Sequence, residues 1–169
     1  MIKTIDTETI EFAYDFYFKL DEAQVEELIT EYEKSQSMVS ILFIGIDNRL
    51  KTKYQFFVLY RFALMVDYCF RNFYGTIPFI SKQQIREKLA AIMKDIEENP
   101  EPSGNTNYPK LIEEASQVDL LKFIEARFEE FILVPDKINE SQACDIFNII
   151  ITMTWLYHQE AEKLNQKGD

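Results

Sequence analysis

The stretch Tyr54–Tyr74, YQFFVLYRFALMVDYCFRNFY, is apolar around nearly the whole circumference of a helix, yet it carries Arg61, Asp67 and Arg71. A helix that is hydrophobic on all sides has to be buried. Charges taken into a core need partners, because an unpaired buried charge is strongly unfavourable. This segment is therefore expected at the centre of the fold, and any polar chemistry of the interior should involve its three charges.

The remaining composition narrows the class. At 169 residues the chain is long enough for one domain with a substantial core, and 1–169 is read as a single unit. Its four glycines, Gly45, Gly75, Gly104 and Gly168, leave little material for phosphate-cradling loops, and no GxGxxG or Walker-type run occurs. A glycine-poor chain favours long helices. The net charge of -11 argues against a general nucleic-acid binder, which needs clustered lysine and arginine. The charge is uneven: residues 1–36 hold ten acids against three bases, and residues 37–75 hold two acids against five bases. The basic zone Arg49, Lys51, Lys53 reads as a solvated helix start, or as a surface facing an acidic partner.

No membrane association is expected. The central segment is interrupted by Arg61 and Asp67, and the apolar run Ile146–Tyr157 is too short to span a bilayer. The N-terminal MIKTIDTETI has no apolar stretch of a signal peptide. Cys69 and Cys144 sit in apolar helical patterns and read as reduced thiols of a cytoplasmic protein, with spacing alone leaving a disulfide between them open.

Along the chain, Ile10, Phe12, Tyr14, Phe16, Phe18 and Leu20 alternate with Glu11, Ala13, Asp15, Tyr17 and Lys19, a period-2 pattern that predicts a strand over 10–20. The rival is a helix, since Phe12, Phe16 and Leu20 also stack at i,i+4. If this segment is not a strand and lies exposed, its aromatics would form an interface patch. The run Met38–Ile46 is either its partner strand or a buried helical turn. Asp21 reads as the cap of a helix reaching about Lys34, and Asp47-Asn48 as the cap of the central helix, which ends at Gly75. Ser81-Lys82-Gln83-Gln84 is a capping box for a helix to about Glu98. Residues 99–109, NPEPSGNTNYP, read as an exposed loop. Ser116-Gln117-Val118-Asp119 starts another helix, with Val118, Leu121, Ile124, Phe128, Phe131 and Ile132 on its buried side and Pro135 as its stop. Asn139-Glu140-Ser141-Gln142 caps the last helix. The expected fold is mainly α, with about five helices around a central apolar helix over about 48–74. A small N-terminal β element would make it α+β in detail.

Catalytic and metal sets are sparse. His158 is the single histidine; no Glu-x-x-His, HExxH, Cys-x-x-Cys or two-Cys-two-His pattern exists, so neither a metal nor a cofactor is expected. His158 lies i,i+4 from Glu162 at the apolar-to-polar boundary of the last helix, which reads as a histidine at the core edge, or as a general base or pH-sensitive contact. Asp67 and Arg71 stand i,i+4 with the acid first, the favourable order for a helical ion pair. Arg61 lies about 80° around the helix from Arg71 and lacks an obvious local partner.

Two functions fit. The first is a non-enzymatic, acidic protein–protein interaction domain, in its most concrete form a stoichiometric inhibitor or immunity-type protein for a basic partner, with a homodimer as the simpler version. Trp155, Tyr157, His158 and Glu162 are further ligand or interface candidates. The second is a pocket for a small anionic ligand, or an enzyme site, built by Arg61, Asp67 and Arg71, with His158 as a further candidate member, and walled by Tyr60, Tyr68 and Tyr74.

Overall fold

A computed structural model describes residues 4–35, 50–75, 79–100, 108–132 and 137–167. Among them the chain forms seven helices and no strand: α1 Thr7–Lys19, α2 Glu22–Ser35, α3 Lys53–Tyr74, α4 Lys82–Glu98, α5 Tyr108–Glu114, α6 Val118–Ile132 and α7 Glu140–Lys167.

The expected strand over 10–20 is a helix. Asp6 caps it, accepting from the Thr9 amide at 2.8 Å. The residues that go inward are Ile10 and Ala13, with Tyr17 and Leu20 half-buried behind them, an i,i+3,i+7,i+10 stripe that only a helix can turn to one side. The alternation arose because aromatics surround this helix. Tyr14 and Phe18 pack inward at one flank, whereas Phe12 and Phe16 point out. Ala13 is fully buried, although the period-2 pattern sets it on the side opposite Ile10. Met38–Ile46, the proposed partner strand, and Pro135 lie outside the described residues.

The central helix forms as expected but starts later. Leu50 and Lys51 are not helical; Thr52 is the cap, and it forms a reciprocal box with Gln55. Gly75 closes the helix at φ 79°, where a side chain is disfavoured, and its amide donates to the Arg71 carbonyl at 2.9 Å. The Ser81–Gln84 box caps α4 as read from sequence. Asn139 and Gln142 form a similar reciprocal pair at the start of α7. Of the loop read over 99–109, Tyr108 and Pro109 belong to α5, a short helix with proline in its first turn, and 101–107 lie outside the described residues.

α3 packs against α1, α2 and α7, while α4 and α6 lie on other sides of α7. One core takes buried residues from all seven helices, with Phe62, Met65, Val66 and Phe70 of α3 against Ile146, Ile150, Ile151 and Tyr157 of α7. Gln55, a buried polar residue, ties the starts of the two long helices together. Its Nε2 donates to the Lys137 carbonyl and to Gln142 Oε1, both at 2.9 Å, and its Oε1 accepts from the Lys51 amide at 2.8 Å. The hydroxyls of Thr152 and Thr154 are satisfied by the carbonyls one turn back, at 2.8 Å each. No helix among the described residues is long and apolar enough to cross a membrane.

Both cysteines are free thiols. Burial pushes the Cys69 thiol up to about 12, while Cys144 is partly exposed. At pH 8 a thiol-specific reagent should therefore modify one group per chain promptly and the second only in denaturant. Simultaneous reaction of both in native buffer would mean that α3 is not packed as described.

Candidate functional site

The charges of α3 divide between two places. Asp67 is only 7% exposed and accepts from Arg71 Nε at 2.7 Å through Oδ2 and from the Tyr157 hydroxyl at 3.1 Å through Oδ1. Tyr157 lies 2.8 Å from the Tyr32 hydroxyl. Either hydroxyl can donate in that contact, and Tyr32, Tyr157, Asp67 and Arg71 form one buried cluster in which both tyrosines and the arginine act on the carboxylate. It joins α2, α3 and α7 at one point. Burial raises the Asp67 carboxyl above its ordinary value, although Arg71 and the tyrosine hydroxyls pull the other way. Burial likewise raises Tyr32 and Tyr157 well above theirs.

Arg61 is elsewhere. Its Nη2 donates to the Leu20 carbonyl at 2.8 Å, and its guanidinium lies over the Phe18 ring. A cation beside the last carbonyls of α1 is favoured by the helix dipole. Arg71 follows Arg61 by ten positions along α3, about 15 Å of helical rise. Trp155 is half-buried under the Lys88 ammonium, whose pKa burial lowers to about 8.

His158 joins a second buried cluster. Its Nδ1 lies 3.1 Å from Gln117 Nε2 and 3.5 Å from the Tyr74 hydroxyl, and its Nε2 lies 3.7 Å from Glu162. Gln117 also donates to Tyr74 at 3.1 Å and accepts from the Ile5 amide at 3.1 Å. The structure thus brings Asp67, Arg71 and Tyr157 together, brings His158 and Glu162 together, and leaves Arg61 and Trp155 apart from both groups. Among the described residues, no group of three or more His, Cys, Asp or Glu side chains is placed to hold a metal ion.

An exposed aromatic surface lies on α1. Phe12 is 55% exposed and Phe16 47% exposed, and their rings stack at 6.4 Å with planes 12° apart. Tyr68 of α3 continues the patch, 5.7 Å from Phe12, and Tyr17 bridges Phe16 and Tyr68. A single exposed phenylalanine is ordinary; a stacked, contiguous set is not. A groove lies on each side of Phe12. One, of about 360 Å³, runs between α1 and α6, with Glu8, Glu11 and Asp15 facing Phe123 and Arg127. The other, of about 460 Å³, is walled by Asp6, Glu8, Tyr68 and Asn72. Four carboxylates, Asp6, Glu8, Glu11 and Asp15, therefore rim the aromatics. Asp15 is paired with Lys19 at 2.9 Å and Arg127 with Glu130 at 2.8 Å, whereas Glu8 and Glu11 have no ion-pair partner among the described residues. The hydrogen bond from the Thr9 amide holds the Asp6 carboxyl below its ordinary value, so it stays charged.

Sequence reasoning offers an interface patch here only as the alternative to a strand, and does not separate Phe12 and Phe16 from the inward aromatics, because the strand pattern places them on the same side as Ile10 and Phe18. The spacing Glu8, Glu11, Phe12, Asp15, Phe16, Lys19 was the available signal, an i,i+3,i+4 outward stripe. Comparison with protein-family models, with characterised proteins and with solved structures finds no match to this chain. The class that the geometry defines is accordingly structural: a helical protein with a buried tyrosine–carboxylate–arginine chain and an acidic, aromatic face on its first helix.

Proposed function

We propose that the protein acts by binding another protein, and that the face of α1 around Phe12 and Phe16 receives a basic segment of that partner. The single observation that carries this reading is the stacked, half-exposed Phe12–Phe16 pair set between two grooves and rimmed by carboxylates. Aromatic rings flanked by acids accept lysine and arginine doubly, through cation–π contact with the ring faces and through ion pairs at the rim. The aromatic centre supplies area that excludes water, and the acidic rim steers a cationic partner toward it. A stoichiometric inhibitor that covers a basic active surface is the most concrete form of this function.

A second copy of the chain is a poorer occupant. A two-fold interface sets the same patch against itself, so the four carboxylates would meet four more in a molecule already carrying a net charge of -11. The sequence-level alternative, an anionic ligand held between Arg61 and Arg71, has less support: Arg71 is engaged by Asp67, and Arg61 by the Leu20 carbonyl.

The test uses synthetic peptides that carry alternating arginine and leucine on a helical frame, with a charge-reversed glutamate series as control. Binding by wild type should be confined to the basic series and weaken steeply with salt. Phe12→Ser/Phe16→Ser should reduce affinity about 30-fold or more, since a buried aromatic anchor is typically worth at least 2 kcal/mol at a hot spot. Glu8→Gln/Glu11→Gln should chiefly slow association. Equal binding of both peptide series, or unchanged affinity of the serine variant, sinks the proposal; dimerisation that the serine variant abolishes would give the face to a second copy instead.

A further inference from the structure

The hydrogen bonds around His158 assign its tautomer. The backbone amide of Ile5 can only donate, so the Gln117 atom facing it at 3.1 Å is the carbonyl oxygen. The Gln117 amide nitrogen then faces Tyr74 at 3.1 Å and His158 Nδ1 at 3.1 Å, and both receive its protons. Nδ1 is therefore an acceptor, and the imidazole carries its single proton on Nε2, toward Glu162. His158 is 5% exposed and Gln117 is 1% exposed, so water cannot substitute freely for either partner. The backbone is committed to this arrangement: Ser116 takes φ 64°, the left-handed region that a serine seldom occupies, in the turn that sets Gln117 inward.

Protonation of Nδ1 breaks the pattern. An N–H would then point at the two N–H bonds of Gln117. A proton on Nδ1 could turn only toward the Tyr74 oxygen, 3.5 Å away at the limit of hydrogen-bond distance, and the Gln117 N–H that faces Nδ1 at 3.1 Å would still lose its acceptor. Turning the Gln117 amide over would satisfy the imidazolium, but it would set the amide nitrogen against the Ile5 N–H, donor against donor. One unmet buried donor remains in either orientation unless Ile5 moves away. We infer that His158 and Gln117 form an acid-released latch, which holds the chain just ahead of α1 against the core and lets it go when the imidazole takes up a second proton. Ile5 is 1% exposed and part of the core, so its release loosens the approach to α1, the helix that bears the aromatic face. The latch stands on the hydrogen-bond directions alone and does not depend on what that face binds.

The groups facing the imidazole are Glu162 from its own helix, Tyr74 from α3 and Gln117 from the turn before α6. Burial lowers the His158 pKa below 6.5, with Glu162 opposing. The sign follows: below pH 6.5 an undocked, solvated imidazole binds a proton that the closed form refuses, so the closed form is lost as pH falls through that window.

The test is amide exchange by NMR on the full chain, with the Ile5 amide compared against Met65 in α3 and Ile150 in α7. From pH 7.5 to 5.5, the protection factor of Ile5 should fall about tenfold or more while Met65 and Ile150 keep theirs. Gln117→Glu supplies an acceptor to both Ile5 and a protonated Nδ1; it should raise the His158 titration midpoint and abolish the acid loss at Ile5. His158→Asn should make Ile5 protection independent of pH. The latch is refuted if His158 titrates with Ile5 protection unchanged, if Ile5 falls only in step with Met65 and Ile150, or if Gln117→Glu retains the acid release.

Discussion

Phe62→Ala is expected to lower stability by about 3–5 kcal/mol, the range for deleting a fully buried aromatic. Phe62 is 0% exposed, and its ring packs 4.8 Å from Phe18 and 5.2 Å from Phe128. From the centre of α3 its ring thus contacts both α1 and α6. The substitution removes the transfer free energy of the ring and leaves a cavity that three helices cannot all close at once. The aromatic pair geometry, tilted on Phe18 and stacked on Phe128, adds a smaller increment. Phe12→Ala is the matched control: the same atoms are deleted, but from a ring 55% exposed, and the loss should stay near about 0.5–1 kcal/mol. Urea unfolding measures both through the midpoint at constant slope. Similar midpoints for the two variants would mean that Phe12 is a structural residue, which would also weaken the case for α1 as a binding face.

The second large effect is an asymmetry within one ion pair. Arg71→Met removes the cation from a carboxylate that remains 7% exposed, and should cost about 2–3 kcal/mol, somewhat below the usual penalty for orphaning a buried charge. The reduction follows because Asp67 can take up a proton and keeps the Tyr157 hydroxyl. Asp67→Asn should cost clearly less. It keeps an acceptor for Tyr157, and Arg71, with a side chain 38% exposed, can turn its charge to solvent. The pH dependence has a definite sign. The Asp67 carboxyl is raised above 3.8 in the folded protein, so just above that pH the native state holds a proton the unfolded chain has released. Stability from this group is therefore lost as pH rises through the window. Relative to wild type, Arg71→Met should steepen that decline and Asp67→Asn should remove it, as read from thermal midpoints between pH 4 and 7. Equal costs for the two variants would mean that the pair contributes through Coulomb attraction alone rather than through burial of the acid.

The Asp67–Arg71 pair could be foreseen because helical spacing is local: four residues place two side chains on one face whatever surrounds them. The same holds for the Ser81–Gln84 and Asn139–Gln142 boxes, which depend on chemistry within one turn. The partners Tyr32 and Tyr157 could not be foreseen. They lie 125 residues apart in the chain, and although helical spacing puts Tyr32 on the apolar stripe of α2 and Tyr157 in the apolar run of α7, nothing local marks the two hydroxyls as partners of each other or of Asp67. The role of Arg61 was hidden for the same reason, since a backbone carbonyl, the atom it serves, leaves no trace in a residue pattern. Gln117 was read only as part of a helix start, although it turns out to connect Ile5, Tyr74 and His158.

By itself the amino-acid sequence determined that the fold is mainly helical and that Tyr54–Tyr74 lies at its centre. Both follow from burial, because a helix apolar on every side has no stable position except among other helices. Tertiary structure decided which way α1 turns. Its residues satisfy a period of 2 and a helical period equally well, and the choice fell to the Asp6 cap and to the fit of Ile10 and Ala13 against the core. That choice put Phe12 and Phe16 outward among carboxylates. An aromatic residue is neutral between core and interface until its neighbours are known, and the neighbours are set only when the helices pack.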